Sequence, residues 1–482
     1  MVLIGYHLLS FGRHGIGLSP YRIDLDVYRI GSLTWLHGRS LYGALPRTRA
    51  GIGLPFSYPP MAAVLLSPLA VVPMAVAGCA LTLVSVALTW VVLRVFTRSL
   101  SSRPGLCWLL PAALELEPVR ATLNFGQVNI LLMALVAADC LHPRPRWPRG
   151  ALVGLAAAVK LTPAAFILFF LLRNDRRAAR TAAASFAAVT GAGFILDRHD
   201  SVRYWTSIIF STSRPGSPAF VGNQALSGVL ARAGLDPHSA GGTVAWLALS
   251  GAVALTAVTG MRRALAVREP ALALSLNAVA ALLVSPISWS HHWVWAAPAL
   301  LCLAVTGRRH AWRGGVAAAW AGLALFEVSP MWLLPRSGAG QELGWAWWEQ
   351  VIGDTYVIFG VVVLVLAARF TPPLQGFGQV GVRRQSGCGR CSRERCRTCT
   401  RISEAGQDRQ GDNRFHPFRR GRRAVWLGRV HPHGPVGARA RPGAGRPGGV
   451  RLLAGGGHAP VLPDRDRHQR REGDDHVDVR PA

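Results

Sequence analysis

The amino-acid sequence predicts an all-α, polytopic membrane protein with roughly nine to eleven transmembrane helices and a C-terminal tail of different character. Half of the 482 residues are hydrophobic. Between Met61 and Phe370, apolar runs of about 20 residues recur, which is the length that crosses a bilayer as a helix. A helix satisfies its own backbone hydrogen bonds inside lipid, and no apolar run of this length occurs beyond Gln375.

The net charge of +29 is distributed in a way that argues against a nucleic-acid-binding groove. Residues 376–482 contain 23 arginines and no lysine, and the remaining positive charge lies mostly in short clusters between apolar runs. Clusters of this kind mark the cytoplasmic ends of membrane helices. We therefore expect a multi-pass protein of the plasma membrane that has the lipid bilayer, and no nucleic acid, as a partner.

The first 60 residues divide into a short apolar segment and a polar, aromatic loop. The apolar part of residues 1–20 is too short to span a bilayer, so we expect a truncated first helix here. Residues 21–60 are rich in Tyr, Trp, Arg and Gly, and they hold the only closely spaced carboxylates of the first hundred residues, Asp24 and Asp26. Because the chain then becomes almost wholly apolar, this pattern predicts a polar loop at the edge of a membrane.

Apolar runs and polar segments alternate in the rest of the membrane region. Basic clusters mark one side, whereas Asp, Glu, His, Trp and Asn mark the other, which we place outside the cell. The apolar runs that we expect to contribute membrane segments are 61–97, 106–114, 128–141, 151–173, 181–196, 243–260, 271–284, 294–306, 314–334 and 351–368.

The run 151–173 contains Lys160, the one lysine of the sequence, with basic residues on both flanks. A single span with both ends in the cytoplasm is impossible. The run therefore either breaks and folds back at residues 160–163, or it places one basic flank outside. Broken helices are tolerated in membranes where they line a cavity.

Asp24 and Asp26 are the candidates for a catalytic base, because a carboxylate can take a proton from an attacking hydroxyl. In an extended segment the two side chains share a face, and in the first turn of a helix they diverge. The alternative is that they only cap or solvate a helix start. We hypothesise that the loop carries the base of a transferase that uses a lipid-linked sugar. A phosphate leaving group needs positive charge rather than a second carboxylate.

Polar residues on the same side are candidates for substrate binding. Lys160 is costly in an apolar run, which favours function, although snorkelling to the interface is an alternative. His291 and His292 lie between Trp289 and Trp293 and suit contact with phosphate or sugar, or membership of an interfacial aromatic belt. The candidate donor- or substrate-binding residues are Arg22, Tyr28, Tyr58, Asn124, Gln127, Asn129, Lys160, His291 and His292. No acidic cluster demands a metal, and we expect no cofactor.

Residues 375–482 differ in kind from the transmembrane domain that we assign to residues 1–374. They are rich in Arg, Gly and Pro and lack hydrophobic periodicity, which predicts a disordered or frameshifted tail. We favour out-of-frame translation of a GC-rich gene, which yields this composition. A basic tail on the anionic membrane surface is one alternative. A zinc site is another, although the four-residue gap between its two Cys-x-x-Cys pairs is short; the cysteines are Cys388, Cys391, Cys396 and Cys399.

The sequence resembles the polytopic, polyprenyl-phosphate-mannose-dependent α-(1→2)-mannosyltransferases of actinobacteria, which form glycosyltransferase family 87 of the GT-C superfamily. The likeness covers about residues 15 to 373 and is nearest to the members that branch lipomannan and lipoarabinomannan. Six segments carry it, in the family's order: YRIDLDVYRIG, HGRSLYG, LPFSYPPMAAVLLSP, NFGQVNILLM, GLAAAVKLTPAAFILFFLLR and SPISWSHHWVW.

The resemblance implies a GT-C-like fold with its active site on the extracytoplasmic face. It implies inverting transfer of mannose from polyprenyl-phosphate mannose to a hydroxyl of a cell-envelope mannan or lipoglycan. The family carries its base in an Asp-x-x-Val-Tyr pattern, which Asp24, Val27 and Tyr28 match, so the resemblance prefers Asp24 to Asp26. It also implies that His291 and His292 contact the donor phosphate.

A transporter or lipid flippase is the competing hypothesis. It would use Lys160 as a coupling charge near the middle of the membrane and needs no base in the outer loop. Inverted internal repeats would favour it, and the sequence shows none.

Overall fold

The computed structural model describes residues 21–101, 106–211, 214, 216–334 and 340–370. These residues form 17 α-helices with short 3₁₀-helices between them. The described part of the chain contains no β-strand, only an isolated bridge between Asn223 and Trp289. The expected all-α class is therefore confirmed. The expectations for residues 1–20 and for the tail 375–482 fall outside the described residues.

The helices are numbered in chain order. The first nine are α1 (Ile23–Leu36), α2 (Pro60–Val71), α3 (Met74–Ser99), α4 (Leu106–Glu115), α5 (Glu117–Phe125), α6 (Asn129–Leu141), α7 (Ala151–Val159), α8 (Ile167–Leu172) and α9 (Arg176–Leu196). The remaining eight are α10 (Arg198–Thr206), α11 (Leu226–Arg232), α12 (Ala240–Ala266), α13 (Pro270–Val284), α14 (Ala296–Arg309), α15 (Arg313–Val328), α16 (Trp347–Gly353) and α17 (Thr355–Arg369).

Four described helices are long and apolar enough to cross a membrane: α3, α9, α12, and α15 together with the 3₁₀ turn that follows it to Leu333. Two bent pairs, α5 with α6 and α16 with α17, raise the number to six if each pair is one span. These helices make the chain a multi-pass membrane protein. Among the described residues, breaks divide several of the other apolar runs into shorter apolar helices, such as α2 and α13.

Helix α13 forms the centre of the helical assembly. Eleven of its 15 residues are buried. A helix that is apolar on all sides is covered on all sides, and α13 packs against α12, α14, α17 and the 3₁₀-helix Thr162–Phe166. Its C-terminal end leads directly into the segment 285–295, so the buried core fixes the start of that segment.

The sharpest break lies between α5 and α6, whose axes are bent by 120°. Gly126 ends α5 with a φ of 70°, a left-handed conformation that glycine adopts without strain. A Cβ on Gly126 would lie 2.8 Å from the Cβ of Leu25, so this corner packs directly on α1. Gln127 is thereby placed beside the first turn of α1.

The apolar run 151–173 is also broken, as one of the two sequence interpretations required. Helix α7 ends at Val159, Lys160 has an extended backbone with φ −150° and ψ 127°, and a 3₁₀-helix begins at Thr162. Pro163 explains the position of the break, because proline lacks an amide hydrogen and its ring would clash with the carbonyl four residues earlier, which is that of Val159 at the end of α7.

Two buried carboxylates hold the loop between α1 and α2. Asp200 of α10 accepts a hydrogen bond from the backbone N–H of Leu41 at 2.5 Å. The Oδ2 atom of Asp26 accepts one from the backbone N–H of Arg49 at 2.8 Å. The end of the loop therefore returns to α1, where Tyr58 reaches the cavities described below.

A second pair of loops, residues 222–224 and 288–290, is joined by backbone hydrogen bonds. Asn223 and Trp289 form the isolated bridge, and the backbone N–H of Gln224 donates to the carbonyl of Ser288 at 2.7 Å. The buried guanidinium of Arg232 donates to the carbonyl of Asn223 at 3.1 Å. This junction fixes Trp289 and the two histidines that follow it.

Replacing Gly126 by alanine is expected to destabilise the protein. A residue with a Cβ is strained at this φ by about 1–2 kcal/mol, and the added methyl group would meet Leu25. The measurement is the midpoint of thermal unfolding in detergent, which should fall.

Gly251→Ala is the matched control, because Gly251 lies within α12 and a Cβ there would meet nothing within 4 Å besides the adjoining backbone of its own helix. That variant should unfold at the wild-type temperature or slightly above it, since alanine favours a helix over glycine. A Gly126→Ala variant as stable as the wild type would contradict the close packing of the corner on α1.

Candidate active site

Two cavities meet at the first turn of α1. The smaller, which we call the Lys160 cavity, has a volume of about 200 Å³; its lining includes Asp24, Tyr28, Tyr58, Gln127, Lys160, Tyr204, Trp289 and His292. The larger, which we call the Trp332 cavity, has a volume of about 690 Å³; its lining includes Asp24, Phe125, Gln127, Phe220, Trp289, His291, Trp332 and Glu342. Asp24, Gln127 and Trp289 line both cavities, so a carboxylate lies at their junction.

Asp24 lies in the first turn of α1 and is held by a side chain from a distant corner. Its Oδ2 atom accepts a hydrogen bond from Nε2 of Gln127 at 2.8 Å. Its Oδ1 atom accepts none from the described part of the chain. The carboxylate is therefore oriented by one oxygen, and the other is available to a ligand.

Two tyrosine hydroxyls complete the network around Gln127. Tyr28 lies one helical turn after Asp24 and donates to Oε1 of Gln127 at 2.5 Å. The Tyr58 hydroxyl lies 2.9 Å from that of Tyr28 and 3.3 Å from the same Oε1. Because these donors occupy the amide oxygen, the amide nitrogen of Gln127 must face Asp24.

The environment of Asp24 favours a carboxyl group that titrates close to neutral pH. Asp24 lies on α1, which is not one of the described helices that are long and apolar enough to cross a membrane. Burial raises the pKa of Asp24 to about 6, while the hydrogen bond from Gln127 and the positive charge of Lys160 both act to lower it. A base is most effective when its pKa is near the operating pH.

Lys160 lies at the break after α7 and contacts three groups of the site. Its Nζ atom donates to Oδ1 of Asn129 at 3.2 Å and lies 3.1 Å from Nε2 of His292. It also lies 5.5 Å from the ring centre of Tyr58. Asn129, Lys160 and His292 also line a small apolar cavity of about 50 Å³ next to the Lys160 cavity. The lysine thus places a cation in the cavity that contains Asp24.

The two adjacent histidines face different cavities. His292 lines the Lys160 cavity, whereas His291 lines the Trp332 cavity. The planes of the two rings are nearly perpendicular, at 89°. The His291 ring packs edge-on against Phe125, with 5.1 Å between centroids. The carbonyl of His291 accepts a hydrogen bond from Nδ2 of Asn129 at 3.0 Å, which ties the histidine pair to the start of α6.

Comparison with known proteins identifies the family. The model of glycosyltransferase family 87 matches residues 56–286. A polyprenol-phosphate-mannose-dependent α-(1-2)-phosphatidylinositol mannoside mannosyltransferase of Mycobacterium tuberculosis is 42% identical over 384 residues, which cover 74% of this chain and 88% of that protein. The chain belongs to glycosyltransferase family 87. The protein of the same description from Mycolicibacterium smegmatis is 41% identical and covers 74% of this chain and 86% of its own length.

More distant matches are found in sequence and in structure. A polyprenol-phosphate-mannose-dependent α-(1-2)-phosphatidylinositol pentamannoside mannosyltransferase of Mycobacterium tuberculosis is 30% identical and covers 71% of this chain and 80% of its own length. ArnT from Cupriavidus metallidurans, solved with undecaprenyl phosphate, aligns with a TM-score of 0.36 and 17% identity over 76% of both chains. A score this low supports no inference about the site.

Membership of family 87 confirms the expected enzyme class, a glycosyltransferase, and argues against the transporter or flippase hypothesis. Among the described residues of this family member, no group of three or more His, Cys, Asp or Glu side chains is arranged to hold a metal ion.

Three predicted site residues line none of the cavities described above. The guanidinium of Arg22 donates to the carbonyl of Gly78 and to Oγ1 of Thr82, so it ties α1 to α3. Asp26 diverges from Asp24 because both lie in a helical turn, and it holds the loop after α1 instead. Asn124 is half-buried near the end of α5. The other eight predicted residues are distributed around the Lys160 and Trp332 cavities and the small apolar cavity.

Sequence reasoning did not select Glu117, which supports the wall of the Trp332 cavity. Its carboxylate accepts hydrogen bonds from Ser290 Oγ at 2.8 Å, from Trp332 Nε1 at 3.0 Å and from Tyr356 OH at 2.9 Å. The sequence signal for Glu117 is an ionisable side chain at the start of an apolar segment. An ionisable side chain within an apolar run is also the signal that selected Lys160. Trp289 and Tyr204 were also not selected, because aromatic residues at a membrane edge are common as interfacial anchors.

Transfer activity is expected to fall as the pH is lowered through about 6, because a protonated Asp24 cannot accept a proton. In a Gln127→Leu variant the hydrogen bond that favours the carboxylate is lost. The pKa of Asp24 should then rise, and the acidic limb of the kcat/KM profile should move to higher pH.

Gln350→Leu provides the matched control, because Gln350 lies on α16 and lines neither cavity. Its profile should coincide with that of the wild type. An acidic limb that does not move in Gln127→Leu would assign that limb to a group other than Asp24.

Proposed function

We propose that this protein transfers mannose from polyprenyl-phosphate mannose to a hydroxyl of a mannose-containing envelope acceptor, with an α-(1→2) linkage and with inversion. Asp24 is the general base. The relatives named as polyprenol-phosphate-mannose-dependent α-(1-2)-mannosyltransferases support the donor and the linkage. The acceptor is a phosphatidylinositol mannoside, as in the names of the relatives, or a mannan or lipoglycan.

One observation carries the proposal: a single oriented carboxylate lies where a small cavity with a cation meets a large aromatic cavity. Two substrates must meet at the reacting carbon, and a base must contact the incoming hydroxyl. The geometry around Asp24 suits that arrangement. The Lys160 cavity takes the mannosyl phosphate, and the Trp332 cavity takes the acceptor.

The reaction then needs one displacement. Asp24 removes the proton of the acceptor hydroxyl as its oxygen attacks C1 of mannose. The bond between C1 and the phosphate oxygen breaks, and its electron pair remains on the phosphate. Because attack occurs opposite the leaving group, a β-linked donor gives an α-linked product. No second carboxylate is required, since phosphate leaves without being protonated.

Positive charge near the leaving phosphate lowers the barrier of this step. The Lys160 ammonium lines the same cavity as Asp24, and the contact with Asn129 holds it in place. His292 lies beside it and offers a ring nitrogen to phosphate or to sugar hydroxyls. These two residues are proposed to contact the donor.

The larger cavity suits a glycan acceptor because sugar rings stack on aromatic side chains. Phe220 lies between Trp289 and Trp332, with ring centroids 5.9 and 6.1 Å away. Glu342, which is buried in the same wall, provides a hydrogen-bond acceptor for hydroxyl groups.

Helix α3 supports an active site on the extracytoplasmic face. Near its start, the carbonyl of Gly78 accepts from Arg22, two residues before Asp24. Just beyond its end, the carbonyl of Leu100 accepts from Arg309. These carbonyls are about 33 Å apart along a helix of 1.5 Å per residue. Basic residues mark the Leu100 end, which is cytoplasmic by the positive-inside rule, so Asp24 belongs to the opposite face.

The proposal is tested by mannose transfer in membranes that contain wild type, Asp24→Asn or Asp26→Asn at equal abundance. Labelled polyprenyl-phosphate mannose is the donor, and the linkage and anomeric form of the product are determined. Loss of the base should lower kcat by a factor of about 10²–10⁴. Asp26→Asn is the matched control, because an amide oxygen can still accept from the Arg49 N–H, and it should retain most activity.

The same membranes are supplied with phosphatidylinositol mannoside in one arm and with a mannan in the other, which identifies the acceptor. Equal transfer by wild type and Asp24→Asn would remove Asp24 as the base. Absence of mannose transfer by the wild type to either acceptor would overturn the proposed reaction.

A further inference from the structure

A fourth cavity adjoins the Lys160 cavity and contains an arginine that the proposed reaction has not used. This cavity, which we call the Arg214 cavity, has a volume of about 160 Å³. This cavity shares three lining residues with the Lys160 cavity, namely Ser57, Tyr204 and Ile287, so the two cavities adjoin each other. A ligand in the Lys160 cavity can therefore extend into it.

The Arg214 guanidinium is held in the cavity with part of its hydrogen-bonding capacity unused. One terminal nitrogen donates to the carbonyl of Tyr42 at 3.3 Å, and the guanidinium lies 5.9 Å from the ring centre of that tyrosine. Its Nε atom is buried and has no hydrogen-bond partner among the described residues. No carboxylate of the described chain forms an ion pair with Arg214.

A second arginine lies near Arg214. Burial lowers the pKa of Arg214, the charge of Arg203 on α10 lowers it further, and Tyr42 acts to raise it. Two neighbouring guanidinium groups are stable together when an anion lies between or beside them. An anion in the Arg214 cavity would provide that compensation.

The remaining lining indicates which anion fits. Hydroxyl groups come from Ser57, Tyr204 and Ser211, whereas the Ser285 hydroxyl already donates to the carbonyl of Ile287 at 3.0 Å. Ile208 and Ile209 add apolar surface at the side of the 3₁₀-helix Ile208–Phe210. Arginine and hydroxyl groups recognise phosphate oxygens, and the isoleucines suit the carbon chain of a lipid.

We propose that Arg214 is a further phosphate-binding residue. It reaches the phosphate ester of a lipid substrate from the Arg214 cavity, where that cavity adjoins the Lys160 cavity, so a donor phosphate held by Lys160 is also contacted by Arg214. This inference rests on the proposed function, which supplies two such esters. One is the phosphate of the polyprenyl donor, and the other is the phosphodiester of a phosphatidylinositol acceptor. The donor is favoured, because the cavity adjoins the Lys160 cavity and shares no lining residue with the Trp332 cavity.

The test measures KM for donor and for acceptor separately in two pairs of variants. Arg214→Gln removes the positive charge. Arg214→Lys retains the charge but lacks the planar guanidinium group with its paired N–H donors. Ser211→Asp places a carboxylate in the cavity beside Arg214, and Ser211→Asn is its neutral match. Ser211 is exposed, so both of its variants should fold. Arg47→Gln is a further control, because Arg47 is an exposed arginine of the loop after α1 that lines none of the cavities described here.

For a donor site, Arg214→Gln and Ser211→Asp should raise the donor KM by about tenfold to a hundredfold, since a charge-assisted hydrogen bond is lost or opposed. Arg214→Lys should lie between, and Ser211→Asn and Arg47→Gln should match the wild type. For an acceptor site, the same pattern should appear in the KM for phosphatidylinositol mannoside. Unchanged KM values for both substrates in Arg214→Gln and Ser211→Asp would overturn the proposal.

Direct binding keeps the inference testable if a variant is inactive. The shift in thermal unfolding midpoint of the purified protein is measured with polyprenyl phosphate and, separately, with phosphatidylinositol mannoside. If both lipids shift the unfolding midpoint of Arg214→Gln as much as that of the wild type, the proposal is overturned. If one lipid no longer shifts the midpoint of Arg214→Gln, the proposal is supported and that lipid is identified as the ligand. Failure of the proposed function has a different signature, namely a wild type that transfers no mannose.

Discussion

The hydrogen bond from Gln127 to Asp24 depends on direct contact between α1 and the corner that joins α5 to α6. The contact is possible because Gly126 has no side chain and adopts a left-handed conformation. Removal of a carboxylate from water costs several kcal/mol unless hydrogen bonds and opposite charge compensate. Gln127 and Lys160 provide that compensation for Asp24. The site is therefore built on a backbone corner, and the side chains follow from it.

The polar groups of the site lie where helices end, and these ends support one another. The carbonyl of His291 accepts hydrogen bonds from Thr122 Oγ1 at 2.7 Å and from Asn129 Nδ2 at 3.0 Å. Asn129 uses its other amide atom to accept from Lys160. A broken helix inside a membrane must have its freed backbone groups satisfied, and here the side chains of one corner satisfy another. A substitution that removes one of these hydrogen bonds should therefore displace side chains at the other helix ends as well.

The sequence was informative about residues whose role follows from local chemistry. Pro163 predicts the break beside Lys160, and a helical turn separates Asp24 from Asp26 while it aligns Asp24 with Tyr28. Gln127, by contrast, reaches Asp24 across 103 positions of sequence.

Local sequence patterns carry no information on contacts between distant segments, and Arg22 is an example. Arg22 was a candidate for donor or substrate binding, whereas its side chain crosses to α3. Local patterns also do not distinguish an apolar helix that faces lipid from one that other helices cover. Apolar composition predicts burial in lipid or protein alike, and α13 is surrounded by other helices of the chain.

In the proposed reaction, the balance of charge around Asp24 gives Lys160 a second role besides stabilising the leaving phosphate. A donor phosphate that enters the same cavity brings negative charge close to the carboxylate. Like charge raises the pKa of a carboxyl group, so an uncompensated phosphate would tend to protonate Asp24 before it could act. A cation between the two anions opposes that change. In the proposed reaction Lys160 would therefore keep Asp24 ionised while the donor is bound, and the same ammonium would then stabilise the developing charge of the phosphate.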